Sequence, residues 1–348
     1  MIQLRTLTDG GQTALEIARL LTSFLEEADR TLDVAIYDFN LGPETEPLVA
    51  GALTAAADRG VRVRLMYNLE RDGTPVPPPA TTEPERVEAL PFPTRGIPGR
   101  PRLMHHKYVV RDGATVWTRS MNWTDDSWTR EENVVAVLDS PPVALRYEQD
   151  FGQLWNTRDV ERSGRVASDP PLKVDGALVR TWFLPKRGLR LAHRIAHAIA
   201  AAERRVRIAS PVITSGAVLG TLAEVVADKK VDLAGVVDNT QVNQVFAQWA
   251  LNPVHMWKAP ALHATLAGAP FSGKHSTPYA PGSVHDYMHA KVTVCDDTVF
   301  VGSFNLSRSG ERNAENVLEI EDAAIADRLA AFVDEVRARY QPVSLPTV

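Results

Sequence analysis

Apolar residues recur at helical spacing over residues 14–28, where Ala14, Leu15, Ile17, Ala18, Leu20 and Leu21 define one face. The run Leu32-Asp33-Val34-Ala35-Ile36-Tyr37-Asp38-Phe39 follows and suits a strand. A second helix is predicted over about 46–59 and a second strand over Val61 to Tyr67. The same order returns later: a helix near 190–203, a strand at Val206–Ala209, a helix at about 217–228 and a strand over 231–237. Helices at about 142–156 and 323–340 close the two series. This alternation predicts an α/β chain of two tandem halves, each with a largely parallel sheet. The boundary is placed where Ser163-Gly164 and Pro170-Pro171 break the pattern, giving halves 1–165 and 166–348.

Two stretches lack either period. Residues 71–102 hold nine prolines, and 252–284 are rich in Pro, Gly, His and Ser. Both read as long loops at the mouth of a site, because each directly precedes a polar motif.

The motifs carry the chemistry. His105-His106-Lys107-Tyr108-Val109-Val110-Arg111-Asp112 and His289-Ala290-Lys291-Val292-Thr293-Val294-Cys295-Asp296 share the pattern His-x-Lys-x4-Asp. In an extended segment the His and Lys fall on one face and the intervening residue on the other, so His106 reads as structural. Ser120-Met121-Asn122 follows the first copy and Ser303-Phe304-Asn305 the second. Glu132-Asn133 and Glu315-Asn316 come ten residues after each Asn. The two histidines are 184 positions apart and the two Asn residues 183. One such motif arises by chance in roughly a few percent of chains this size; two with matched followers do not.

This arrangement resembles the phospholipase D superfamily, over essentially the whole chain. The resemblance implies an α/β/α sandwich in each half, related by pseudo-twofold symmetry, with both motifs meeting at the interface. It makes His105 the nucleophile and His289 the acid/base. The second copy carries the usual Gly302, but the first has Arg119 at that position.

The chemistry follows from the residue types. A neutral imidazole can attack phosphorus to give a phosphohistidine, and a second can protonate the leaving oxygen and then activate water. Lys107, Lys291, Asn122 and Asn305 would hold the non-bridging oxygens, with Ser120 and Ser303 binding phosphate or supporting the site. Glu132 and Glu315 would orient the imidazoles, and Asp112 and Asp296 would fix the backbone. No metal or cofactor is required by this scheme.

Composition adds limits. The formal net charge of −5 argues against nonspecific coating of nucleic acid. Cys295 is the only cysteine, so no intrachain disulfide forms and a cysteine-ligated zinc site is not expected. No signal-like or membrane-spanning run is seen, so a cytoplasmic protein is expected, without membrane insertion and active as a monomer. His193 and His197 read as an exposed helix face, and His263, His275 and His285 as surface histidines. Arg95, Arg100 and Arg102 could hold a phosphate backbone, and Trp123 could line the cleft. A nucleic-acid phosphodiester is the favoured substrate; a phospholipid head group is the alternative.

Overall fold

The computed structural model describes residues 1–69, 80–251, 254–255 and 257–346. Every helix and strand of the repeated series is present within three residues of its expected ends. The first helix, Ala14–Glu26, starts at a capping box in which Thr13 and Glu16 satisfy each other's backbone N–H groups.

Each half is built on one main sheet, and the first adds a short parallel pair, Phe39–Asn40 with Trp123–Thr124. In the first, the strand order is Ile2–Leu7, Asn133–Asp139, Thr115–Arg119, Lys107–Arg111, Thr31–Ile36, Arg62–Leu69, Thr94–Pro98. In the second it is Leu172–Val174, Ala177–Phe183, Asn316–Glu321, Thr298–Gly302, Val292–Cys295, Arg205–Ala209, Asp232–Asp238, Phe271–Lys274. The sheets are mixed, which corrects the expectation of largely parallel ones. Only the strands joined by helical crossovers run parallel. The motif strands turn back through hairpins and pair antiparallel with their neighbours. Burial on both faces makes hairpin strands read like parallel ones, since alternation is lost.

The two irregular stretches are also more ordered than expected. The first includes the helix Pro84–Glu88 and the strand Thr94–Pro98; its residues 71–79 lie outside the described residues. The second includes the helix Lys258–Gly268 and the strand Phe271–Lys274; its residues 252, 253 and 256 lie outside the described residues. Ala and Leu in 258–268 sustain a helix, with Pro260 tolerated in its first turn.

Outer helices cover the far face of each sheet, in two separate apolar clusters. The facing sides share one continuous core, into which helices Pro141–Thr157 and Ala323–Arg339 bury their apolar faces. Tyr147 spans the junction: its ring lies 4.9 Å from Tyr108 of the first half and 4.9 Å from Phe183 of the second. Asn316 donates to Thr118 and to the Tyr147 hydroxyl across the same seam. His106 is fully buried there, between Asp150 at 3.0 Å and Asn316 at 3.2 Å. The halves are thus one packed body, and both motifs open at its seam.

Candidate active site

Asp112 and Asp296 end their motifs and set the sheets' geometry. Asp112 accepts the backbone N–H groups of Asp29, Arg30 and Thr31 at 2.7–3.1 Å. Asp296 does the same for Glu203, Arg204 and Arg205 at 2.9–3.0 Å. Both adopt the left-handed backbone conformation, which Asp tolerates better than most residues. They staple a helix-to-strand loop to the motif hairpin and do not touch the cleft.

At the other end of each motif, His105 and His289 precede their strands in an extended lead-in. The first lead-in is paired with the opposite half. Met104 bridges Ala314, and the His105 N–H donates to the Ala314 carbonyl at 2.9 Å. His105 Nδ1 therefore lies 2.8 Å from Glu315 Oε2, a carboxylate of the other half. Ser303 Oγ donates to the same oxygen. The ring's flank is closed by Tyr37, centroid to centroid 4.8 Å.

His289 is held by the first half in turn, but not by Glu132. Its Nδ1 lies 3.2 Å from Glu131 Oε2 and 3.2 Å from Asn133 Oδ1. Ser127 Oγ steadies Glu131 at 2.5 Å. Glu132 points away, into a buried cluster with Lys274 at 3.2 Å and the Tyr340 hydroxyl. The reason is a one-residue offset between the halves. Ser120 Oγ accepts the N–H of Val134, whereas Ser303 Oγ accepts that of Asn316. The ladders agree, pairing Arg119 with Val135 and Gly302 with Val317. Asn133 thus occupies the place of Glu315, and Glu131 supplies the carboxylate from two residues upstream. The Glu131-Glu132 doublet was the only sequence signal, and spacing favoured the wrong member.

Ser120 and Ser303 buttress these residues instead of meeting phosphate: Ser120 Oγ donates to Asn133 Oδ1 at 2.7 Å. Lys107 and Lys291 are buried and fold back on their own motifs, each ammonium donating to the carbonyl of its histidine. Asn122 and Asn305 do line the cleft, and among the described residues neither amide oxygen has a hydrogen-bond partner.

Burial dominates the electrostatics. It pushes the Lys107 ammonium down to about 7 and holds Lys291 well below the ordinary lysine value, with Lys107 adding repulsion. Both imidazoles are held well below the ordinary histidine value by burial, then by the two ammonium groups. Burial also pushes the Glu315 carboxyl up to about 8 and Glu131 up to about 7. The site thus holds poorly solvated cations that a bound anion would stabilise.

His105, His289, Asn122 and Asn305 share one cleft of about 660 Å³ with Tyr37, Gln241 and Tyr287. Arg100 and Arg102 lie on its His105 flank. Arg95 does not; its guanidinium stacks on Trp155, 4.5 Å from the ring centroid. Trp123 is also absent from the cleft: it is fully buried against Phe39. Arg119 is buried too, over Trp123 at 4.9 Å and beyond reach of a ligand. At Gly302 a Cβ would meet the Asn316 carbonyl at 2.1 Å, so that half admits only glycine. His193 and His197 are exposed on their helix.

Two sheets with flanking helices and paired His-x-Lys-x4-Asp motifs in one cleft define the phospholipase D class. The chain belongs to this superfamily: a family model described as "Cardiolipin synthase, PLD-like domain" matches residues 21–155 and again 195–337. The mitochondrial cardiolipin hydrolase of Xenopus laevis is 28% identical over 146 residues, 41% of this chain and 62% of that protein. Its counterpart in Chlamydomonas reinhardtii is 27% identical over 148 residues, 41% of this chain and 59% of that protein. The matches therefore span about three fifths of these relatives. Phosphatidylserine synthase of Haemophilus influenzae shares the fold, with a TM-score of 0.67, 13% identity, and coverage of 99% of this chain and 87% of that one.

Proposed function

We propose that this chain is a metal-independent phosphodiesterase that works through a phosphohistidine and acts on nucleic-acid phosphodiesters. One observation carries the catalytic part: two imidazoles share a cleft, each with Nδ1 engaged by a carboxylate of the opposite half. That leaves Nε2 of each ring as the nitrogen for chemistry. The bound anionic diester favours the protonated form of His289, which burial otherwise opposes; His105 Nε2 attacks phosphorus, the bond to the leaving oxygen breaks, and His289 gives its proton to that oxygen. Neutral His289 then takes a proton from water as the oxygen attacks phosphorus. The P–N bond breaks, and both histidines are restored. Lys107, Lys291, Asn122 and Asn305 stabilise the charge on the non-bridging oxygens. One chain supplies both half-sites, so we take the monomer as the working unit, divided at 165/166 between the helix ending at Thr157 and the strand starting at Leu172.

Arginines on the cleft flank support the nucleic-acid substrate. Phospholipid is the second reading. The cardiolipin names among the relatives favour it, as do Leu251 and Trp257, which are 87% and 60% exposed. Among the described residues no helix is long and apolar enough to cross a membrane.

The test is alkaline quenching during turnover of a phosphorus-labelled diester in excess chelator. Label should stay on the protein, survive alkali and leave in mild acid. His105→Ala should carry none. Labelling of that variant, or loss of turnover on chelation, would overturn the mechanism.

A further inference from the structure

The cleft is lopsided in charge. Its His105 flank is built from two segments, one from each half, zipped side by side. Leu103 N–H donates to Asn313 Oδ1 at 3.1 Å, and Ala314 N–H donates to the Leu103 carbonyl at 2.8 Å. Met104 then bridges Ala314 in parallel, and the pair runs on to His105 and Glu315. This register sets Arg102 beside Arg312, each three residues before its member of the His105–Glu315 pair. At about 3.3 Å per residue, the two arginines branch off roughly 10 Å of backbone from the dyad.

The arginines repel one another. Arg102 is held below the ordinary arginine value by burial first and then by Arg312, with Glu161 opposing the shift and Arg308 adding to it. Its Nη1 donates only to the Pro101 carbonyl among described groups, at 2.9 Å. Among the described residues, Arg102, Arg308 and Arg312 have no carboxylate within 4 Å. The neighbouring Glu311 is taken by the Ser215 hydroxyl at 2.7 Å. Arg308 and Arg312 are exposed, and Arg102 is half-buried at the cleft wall. Three guanidinium groups without an ion-pair partner among the described residues thus cluster at one edge of a chain of net charge −5, and a bound anion would relieve their repulsion.

We propose that Arg102, Arg308 and Arg312 form a second anion site that binds a neighbouring phosphate of the same nucleic-acid strand. This rests on the phosphodiesterase reading of the catalytic cleft. A strand offers a further phosphate at regular spacing on either side of the scissile one, and the guanidinium fork matches phosphate geometry. A lipid with one phosphate offers no second charge to this flank. The cleft lining presents Ser309 and Asn313 together with Asn122, Gln241 and Asn305, against Pro101, Leu103 and Pro211 as its aliphatic members. That surface suits a polar polymer better than acyl chains. The second site makes length a specificity element: a diester embedded in an oligonucleotide binds better than an isolated one.

The experiment compares kcat/KM for a dinucleotide with one diester, a hexanucleotide, bis(p-nitrophenyl) phosphate, and vesicles containing cardiolipin, a lipid with two phosphates. Wild type should prefer the hexanucleotide to the dinucleotide by about tenfold or more. Arg102→Gln/Arg312→Gln should bring that ratio to within about twofold of one. It should also cut the salt dependence of hexanucleotide KM by roughly one to two ions. Arg308→Gln, at an exposed position, gives a smaller change in the same direction if the double variant fails to fold. A length preference and salt slope unchanged in the variants would overturn the second site alone. No turnover of any of the four substrates would overturn the phosphodiesterase reading with it. Turnover of cardiolipin vesicles but of neither oligonucleotide would overturn the strand assignment while keeping the phosphodiesterase.

Discussion

Glu315 follows His105 by 210 residues, yet its Oε2 lies 2.8 Å from His105 Nδ1. The reciprocal contact joins His289 to Glu131. Neither half by itself pairs its cleft histidine with a carboxylate, so the seam between the sheets is part of the candidate catalytic apparatus. Losing the carboxylate leaves the ring free to turn and to present the wrong tautomer. Glu315→Gln is therefore expected to lower kcat by about 10²–10³-fold with KM nearly unchanged. Steady-state kinetics on an aryl phosphodiester measures this; a loss below about threefold would show that the pair does not orient the nucleophile.

The adjacent acids Glu131 and Glu132 should separate cleanly. Glu131→Gln removes the carboxylate at His289 and should cost about 10–100-fold in kcat with little change in melting temperature. Glu132→Gln leaves the buried Lys274 with Asp9, at 3.1 Å, as its remaining carboxylate, a change worth about 1–3 kcal/mol of stability. Its kcat, measured well below the melting point, should stay close to wild type. Equal kinetic losses in both variants would contradict the division of roles.

That pair of acids also shows where reading the chain stops. The helices were legible because their apolar stripes have the right period, and the motif residues because two copies recur at matched spacing. Strand direction was not, since a strand buried on both faces carries no local mark of its neighbour's polarity. Glu131 was hidden by a one-residue offset that only the hydrogen bonds of Ser120 and Ser303 reveal. Arg312 was hidden differently: nothing near it in sequence says that it will stand beside Arg102. Trp123 looked like a cleft residue by adjacency to Asn122, but a strand pairing with Phe39–Asn40 turns it inward.

Asp112 should act on stability and not on chemistry. Three backbone N–H groups hold its carboxyl below the ordinary value against the opposing effect of burial. A group with a lowered folded-state pKa contributes fully above its unfolded value near 4, and that contribution fades as pH falls through the folded value. Asp112→Asn should thus cost about 1–2 kcal/mol at pH 7, toward the lower end because solvent screens the site, and less at pH 3. Urea melts at the two pH values provide the check. An equal loss at both would mean that the charge is irrelevant.

Lys107 gives the sharpest pH signature. Burial, with Arg119 among the opposing cations, brings its ammonium down to about 7 in the empty site, against the pull of Glu315, Asp38 and Glu131. A phosphate bound nearby favours the charged form, so binding above pH 7 must draw in a proton. The affinity for sulfate, a phosphate mimic that cannot be hydrolysed, should therefore weaken as pH rises from 7 to 9, by up to about tenfold per unit once the lysine is neutral. Sulfate is a dianion throughout that range, so the ligand's own charge does not change. Calorimetric titration in two buffers of different ionisation enthalpy should report net proton uptake at pH 8. Arg119→Met removes a buried positive charge from behind the lysine and should move the pH midpoint upward, whereas Lys107→Met should abolish the uptake. Affinity independent of pH, with no proton taken up, would mean that Lys107 is charged before the anion arrives.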